Sequence, residues 1–186
     1  MFKPHTWALL FGGVLFACAG PEPSNNSEND DTSDSSSIIE YELNETRLSA
    51  VEYNDELSLI QQGVYDQINE LFLSDPLTVG QNLENTKFEI DIKLSDLKQL
   101  EPYEGGEDFK AALVSLLAFY QDELNTGFEE ILPSLEKEQE ERTAEEIYHI
   151  NDYDESFASK EQVFFAKIDS TQNAFAQANQ IQIVDL

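Results

Sequence analysis

VGQNLENTKFEIDIKLSDL, residues 79–97, is the stretch on which the fold turns. Taken in steps of three and four, Val79, Leu83, Ile90, Leu94 and Leu97 form one apolar face of a helix. Taken in steps of two, Phe88, Ile90, Ile92 and Leu94 alternate with polar residues as a half-buried strand does. Length decides between them. The helical spacing persists with no turn signal until Pro102, whereas most strands run about 5–6 residues. A helix is therefore expected; were 87–94 a strand, the domain would be α+β.

Upstream, Tyr53, Leu57, Ile60, Val64, Ile68 and Leu71 repeat the same spacing and stop at Ser74, Asp75 and Pro76. Asp75 suits the N-cap of the next helix, with Pro76 at its first position, where a missing amide donor costs nothing. Downstream, Gly105 and Gly106 predict a turn. Phe109, Leu113, Leu116, Tyr120, Leu124, Phe128 and Ile131 then set out the clearest helix in the chain, and Leu117 and Phe119 widen its apolar face enough for a central position. Pro133 should kink or end it. Glu136 to Arg142 is almost wholly charged and is expected in solvent. Thr143 and Glu146 have the capping-box spacing, which starts a last helix at Ala144 with Ile147, Ile150, Phe157, Phe164, Ile168 and Phe175 along one face. Ile181 to Val184 would cover one end. The reading is all-α: an antiparallel up-and-down four-helix bundle spanning 38–186.

The residues before this domain are of another kind. Met1 to Thr6 hold one cation, Lys3, and Trp7 to Leu15 are apolar or glycine. That run is too short to cross a hydrocarbon core, which takes roughly 20 residues, and it has the shape of a secretory signal covering 1–17. Leu15, Phe16, Ala17 and Cys18 resemble the bacterial lipobox, although Phe16 is bulkier than the small residue usual there. The resemblance implies acylation of the Cys18 sulfur and cleavage after Ala17. Cys18 is the one cysteine of the chain, so no intramolecular disulfide is available. Residues 18–37 carry prolines, serines, asparagines and the acids Glu28, Asp30, Asp31 and Asp34, with no cation before Arg47. Such a composition cannot bury enough surface to offset its ordering entropy, so a disordered acidic tether is expected. Acids soon after the cysteine also resemble surface-export signals of Bacteroidetes-type lipoproteins, and Ala19 is compatible with passage to the outer membrane.

The formal charge of -28 opposes binding to nucleic acid and to anionic lipid heads. It leaves the acyl anchor as the attachment to a membrane. Metal chemistry is poorly served. Glu146 and His149 have Glu-x-x-His spacing, but a carboxylate di-metal site needs that motif twice, and His149 is the only histidine beyond the expected signal. Asp152 and Asp154 resemble the start of a calcium loop that lacks its central glycine and ends on Val163 instead of glutamate. There is no G-x-S-x-G elbow and no phosphate-cradling glycine loop. No catalytic residue, cofactor or metal site is expected. The aromatic stripe Phe157, Phe164, Ile168 and Phe175 suits a core more than a ligand cleft. Tyr103, Tyr148 and Tyr153 fall near predicted helix ends, where exposed tyrosines suit contacts with a protein partner.

Tyr53-Asn54 with Gln61-Gln62, Pro102-Tyr103, Phe109-Lys110-Ala111-Ala112, Phe119-Tyr120, Thr143-Ala144-Glu145-Glu146, and Gln162 with Phe165-Ala166-Lys167 resemble a family of uncharacterised surface lipoproteins of Leptospira and Bacteroidetes. These are packing and capping positions. The resemblance implies a helical lipoprotein and supplies no activity. The expected function is a lipid-anchored, non-enzymatic binding or structural module of the outer membrane, facing the cell surface or the periplasm. The alternative is an envelope hydrolase using paired Asp and Glu carboxylates, which would need two buried carboxylates in a cleft.

Overall fold

Ser49 opens the first helix. Its hydroxyl accepts from the Glu52 amide at 3.3 Å while the Glu52 carboxylate accepts from the Ser49 amide at 2.8 Å, so two otherwise unpaired donors are satisfied reciprocally. The computed structural model describes residues 48–182. The expected signal 1–17, Cys18, the acidic stretch to 37, residues 38–47 and residues 183–186 lie outside the described residues. Helices α1 (Ala50–Phe72), α2 (Val79–Gln99), α3 (Glu107–Asn125), α4 (Gly127–Leu135) and α5 (Ala144–Ala178) follow in order, with a single 3-10 turn at Gln139–Glu141. There is no strand among the described residues, and the domain is all-helical.

Residues 79–97 are a helix, and the exposure pattern says why. Ile90 is fully buried, whereas Phe88 is 64% and Ile92 37% exposed. A strand would have put all three on one face; the helical face Val79, Leu83, Ile90, Leu94 and Leu97 is the buried one. The helix begins later than Asp75 and Pro76 suggest. The Asp75 carboxylate accepts from the Leu77 amide at 2.9 Å, and its carbonyl accepts from Thr78 and Val79, so 75–78 is a turn and helical geometry is regular only from Val79. Gly105 supplies the positive φ, 79°, of the turn before α3.

The helix expected across 109–131 is two. The break falls at Thr126 (φ -125°, ψ -84°), while Pro133 sits inside α4, two residues before its end. Local competition for the backbone accounts for the break. The Asn125 side chain donates to the Gln121 carbonyl at 2.7 Å and the Thr126 hydroxyl to the Asp122 carbonyl at 2.8 Å, tying off the last turn of α3 with side chains. Gly127 then brings α4 against α5 so closely that a Cβ there would lie 2.5 Å from the Tyr153 ring.

α3 is central, packing against α1, α2, α4 and α5. α5 has 35 residues, roughly 52 Å of helix, and lies along α3 and α4 in succession. Tyr53 at the start of α1 meets Phe175 near the end of α5, with ring centroids 5.6 Å apart, and donates its hydroxyl to the Gly106 carbonyl at 3.3 Å. Phe72 at the other end of α1 meets Phe128 at 5.5 Å and Phe157 at 5.1 Å. α1 and α3 therefore run the same way and α5 runs against them. Of the face expected on α5, Ile150, Phe157, Ile168 and Phe175 are buried; Phe164 is half-buried beside the buried Phe165, and Ile147 is exposed.

Candidate interaction surface and buried polar core

The three tyrosines singled out from sequence have different fates. Tyr103, in the loop before α3, is half-buried with its ring 6.1 Å from Tyr53 and 5.8 Å from Phe175. Tyr153 packs against Phe72, Phe128 and Phe157, and its buried hydroxyl makes no hydrogen bond within the protein. Burial, then the charges of Glu123 and Asp154, push that hydroxyl's pKa up. Tyr148 is 66% exposed on the first turns of α5. Tyr103 lies at the end of the domain where α1 begins, and Tyr148 and Tyr153 lie toward the end where α1 finishes, so the three form no common surface.

The surface around Tyr148 holds apolar residues that the sequence reading did not select. Leu73 and Leu77, in the α1–α2 connection, are 84% and 91% exposed, and Ile147 is 40% exposed. They share one end of the domain. A Cβ at Gly80 would stand 3.0 Å from the Glu136 carboxylate, and Lys137 pairs with Glu146, the neighbour of Ile147. The start of α2, the end of α4 and the start of α5 therefore lie toward the same end, opposite Leu48. Sequence periodicity missed Leu73 and Leu77 because they follow the α1 face Leu57, Ile60, Val64, Ile68 and Leu71 almost without interruption. The available signal was their position on either side of Ser74 to Pro76, where no helical face can bury them.

Charge at this end is nearly all acidic. Glu138, Glu140, Glu141 and Glu145 are exposed. Both cations of the 136–146 segment are engaged in the fold. Lys137 holds Glu146, and Arg142 donates to the Leu135 and Lys137 carbonyls at 3.0 and 3.1 Å, closing the end of α4. The same economy runs through the domain. Lys110 donates to the Leu100 carbonyl beyond α2, Lys87 bridges to Glu129 on α4, and Lys160 bridges to Glu123 on α3 at 2.7 Å.

Glu146 is a capping residue. It accepts from the Thr143 amide at 2.9 Å, and the Lys137 ammonium together with that amide lowers its carboxyl to a pKa of about 2. His149 is exposed. Asp152 and Asp154 lie inside the continuous α5 helix, which removes the loop that a calcium site would need. Among the described residues no group of three or more His, Cys, Asp or Glu is placed to hold a metal ion.

The interior carries its own polar chemistry. Tyr120, fully buried, donates its hydroxyl to Glu161, 5% exposed, at 2.6 Å. Burial raises the Glu161 pKa and, with the Glu161 charge, raises Tyr120 as well. About a turn away the buried Glu123 meets Lys160. Farther along, Gln172 of α5 donates to Asn54, fully buried, at 3.2 Å and to Ser58 at 3.0 Å. These bonds fix the register of α5 on α3 and α1. Glu123 and Glu161 are buried carboxylates on helices that pack together, and each already has a partner across the helix interface.

A recess of about 150 Å³ lies between α1 and α2, lined chiefly by Gln67, Glu70, Asn82, Asn85, Thr86 and Glu89. The Gln67 Oε1 atom is buried without a hydrogen bond inside the protein.

Comparison with protein-family models, with curated proteins and with solved structures finds no match to the chain. Among the described residues no helix is long and apolar enough to cross a membrane.

Proposed function

We propose that this chain is a bacterial envelope lipoprotein, acylated on Cys18, cleaved after Ala17, carried to the outer membrane and held there by its lipid, with its helical domain serving as a non-enzymatic module that binds a protein partner. In this reading residues 18–37 are the spacer, and the domain is an antiparallel up-and-down bundle of four long helices in which α3 and α4 together occupy one position. The likeness to uncharacterised Leptospira and Bacteroidetes surface lipoproteins belongs to the same proposal.

The observation that carries the binding role is the placement of Leu73, Leu77, Ile147 and Tyr148 in solvent at one end, opposite Leu48 where the chain enters. Isolated exposed apolar residues are ordinary; several toward one end support a contact surface. Of the three tyrosines, Tyr148 has the exposure a contact needs. Site-specific photo-crosslinking in intact cells tests the role. A probe at Tyr148 is expected to capture one defined protein, and the absence of any adduct from probes placed over the whole surface would overturn it. Protease added to intact cells then assigns the side: loss of the domain places it on the surface, and protection until lysis places it in the periplasm.

The second reading, an envelope hydrolase, is favoured by one observation, the buried pair Glu123 and Glu161. Hydrolysis of an envelope glycan by the purified chain, abolished in Glu161→Gln, would establish it. The Lys160 and Tyr120 partners count against it, because a general acid or base must meet substrate.

A further inference from the structure

We infer that the end bearing Leu73, Leu77, Ile147 and Tyr148 docks a basic amphipathic segment of a protein, one that brings apolar side chains to these four residues and Lys or Arg to the acids around them. The inference deepens the binding role proposed above and rests on it.

Three observations select this occupant. The first is that the four apolar residues are presented by two different segments, the α1–α2 connection and the first turns of α5, placed toward the same end, where Gly80 approaches Glu136 and Lys137 pairs with Glu146. A surface built from two segments offers a partner more than a single side chain to grip. Secondly, the charges bordering it are of one sign. Glu138, Glu140, Glu141 and Glu145 are exposed, while Lys137 and Arg142 are tied to Glu146 and to the carbonyls that end α4. An incoming cation therefore meets carboxylates with no local competitor, and the field of a chain at -28 steers it in. The third is exclusion by the same charge. A second copy would set these acids against themselves, and an anionic lipid surface would be repelled.

Other exposed apolar residues provide the internal control. Leu59 on α1 and Val163 on α5 are each 69% exposed and lie in the middle of their helices. They feel the same overall charge at mid-helix, away from this end.

The test uses the full chain, lipidated and held in neutral detergent, with a fluorescent helical peptide of alternating Lys and Leu faces as probe; a Lys and Ser peptide of equal charge and a Glu and Leu peptide serve as comparisons. The Lys and Leu peptide is expected to bind tightest. Leu73→Ser with Leu77→Ser, or Tyr148→Ser, should weaken it by about tenfold or more, the size of one well-buried contact, whereas Leu59→Ser with Val163→Ser should change it less than twofold. All these side chains are in solvent, so the variants keep the fold, and an unchanged far-ultraviolet spectrum checks this. Equal loss from both pairs, or equal binding of the Lys and Ser peptide, would mean attraction by net charge alone and would overturn the inference. In cells, adducts from a probe at Leu59 but not at Leu77 would overturn this placement while leaving the binding role standing; silence from probes over the whole surface would remove the binding role itself.

Discussion

Glu161 shows how a single residue in this domain serves packing at an electrostatic cost. Its carboxylate accepts the Tyr120 hydroxyl at 2.6 Å in the interior, and burial raises its pKa above the ordinary 4.5. The folded state therefore binds the proton more tightly than the unfolded chain does. The contribution of this group to stability is fully present below about pH 4.5 and is lost as pH rises through the raised folded value. Glu161→Gln keeps an acceptor for Tyr120 and removes the buried charge, so its melting temperature at neutral pH should exceed that of the parent, and the difference should vanish below about pH 4.5. Glu161→Leu strands the Tyr120 hydroxyl and should cost about 1–3 kcal/mol in denaturant unfolding at neutral pH. Glu146 has the opposite sign. Held at about 2 by Lys137 and the Thr143 amide, it contributes stability that is present above about pH 4.5 and is lost as pH falls through about 2. An acid titration of Glu146→Gln beside the parent should show a shallower loss over that window; identical acid limbs would contradict the assignment. Gly127 is a packing case. Alanine there must displace the Tyr153 ring, 2.5 Å from the new carbon, and should destabilise by about 1–3 kcal/mol despite its better helix propensity.

At the scale of elements, the sequence was most legible where periodicity ran long. The α1 face from Tyr53 to Leu71 and the α2 face from Val79 to Leu97 are buried as their spacing predicts. The Thr143–Glu146 box starts α5 at Ala144. The matching box at Ser49 and Glu52 was equally visible as Ser-x-x-Glu but lay ahead of the periodic segment rather than between two of them. What spacing could not reveal was tertiary. The α3–α4 break at Thr126 depends on two side chains folding back onto carbonyls and on Gly127 admitting Tyr153, while Pro133, the obvious breaker, is accommodated within α4. Tyr103 and Tyr153 sit near helix ends, yet aromatic neighbours from other helices cover them, which no local pattern records. The helix at 79–97 has a direct test. Ile90→Ala should cost about 2–5 kcal/mol and Phe88→Ala less than about 0.5 kcal/mol, since Ile90 is fully buried and Phe88 is 64% exposed. A strand would make the two losses comparable.

Over the whole molecule, acidic charge dominates. The cations of the domain that meet carboxylates or helix-end carbonyls, among them Lys87, Lys110, Lys137, Arg142 and Lys160, hold elements together, and acids predominate on the rest of the surface. A chain at -28 repels itself in the compact state. Raising monovalent salt from about 0.1 to about 1 M shortens the screening length from about 10 to about 3 Å and should raise the melting temperature; a fall would mean that the ion pairs outweigh the repulsion. The same charge frames the proposed partner as basic and the proposed anchor as covalent lipid. That anchor is the central claim, and Cys18 is where it is tested. The full chain is produced in a Gram-negative bacterium fed an alkyne-tagged fatty acid, then fractionated, and its N-terminus is weighed. Acylation predicts a tagged protein beginning at Cys18 in the membrane fraction, with Cys18→Ser untagged and released from the membrane. An untagged chain, or a Cys18→Ser variant that remains tagged and membrane-bound, would contradict it.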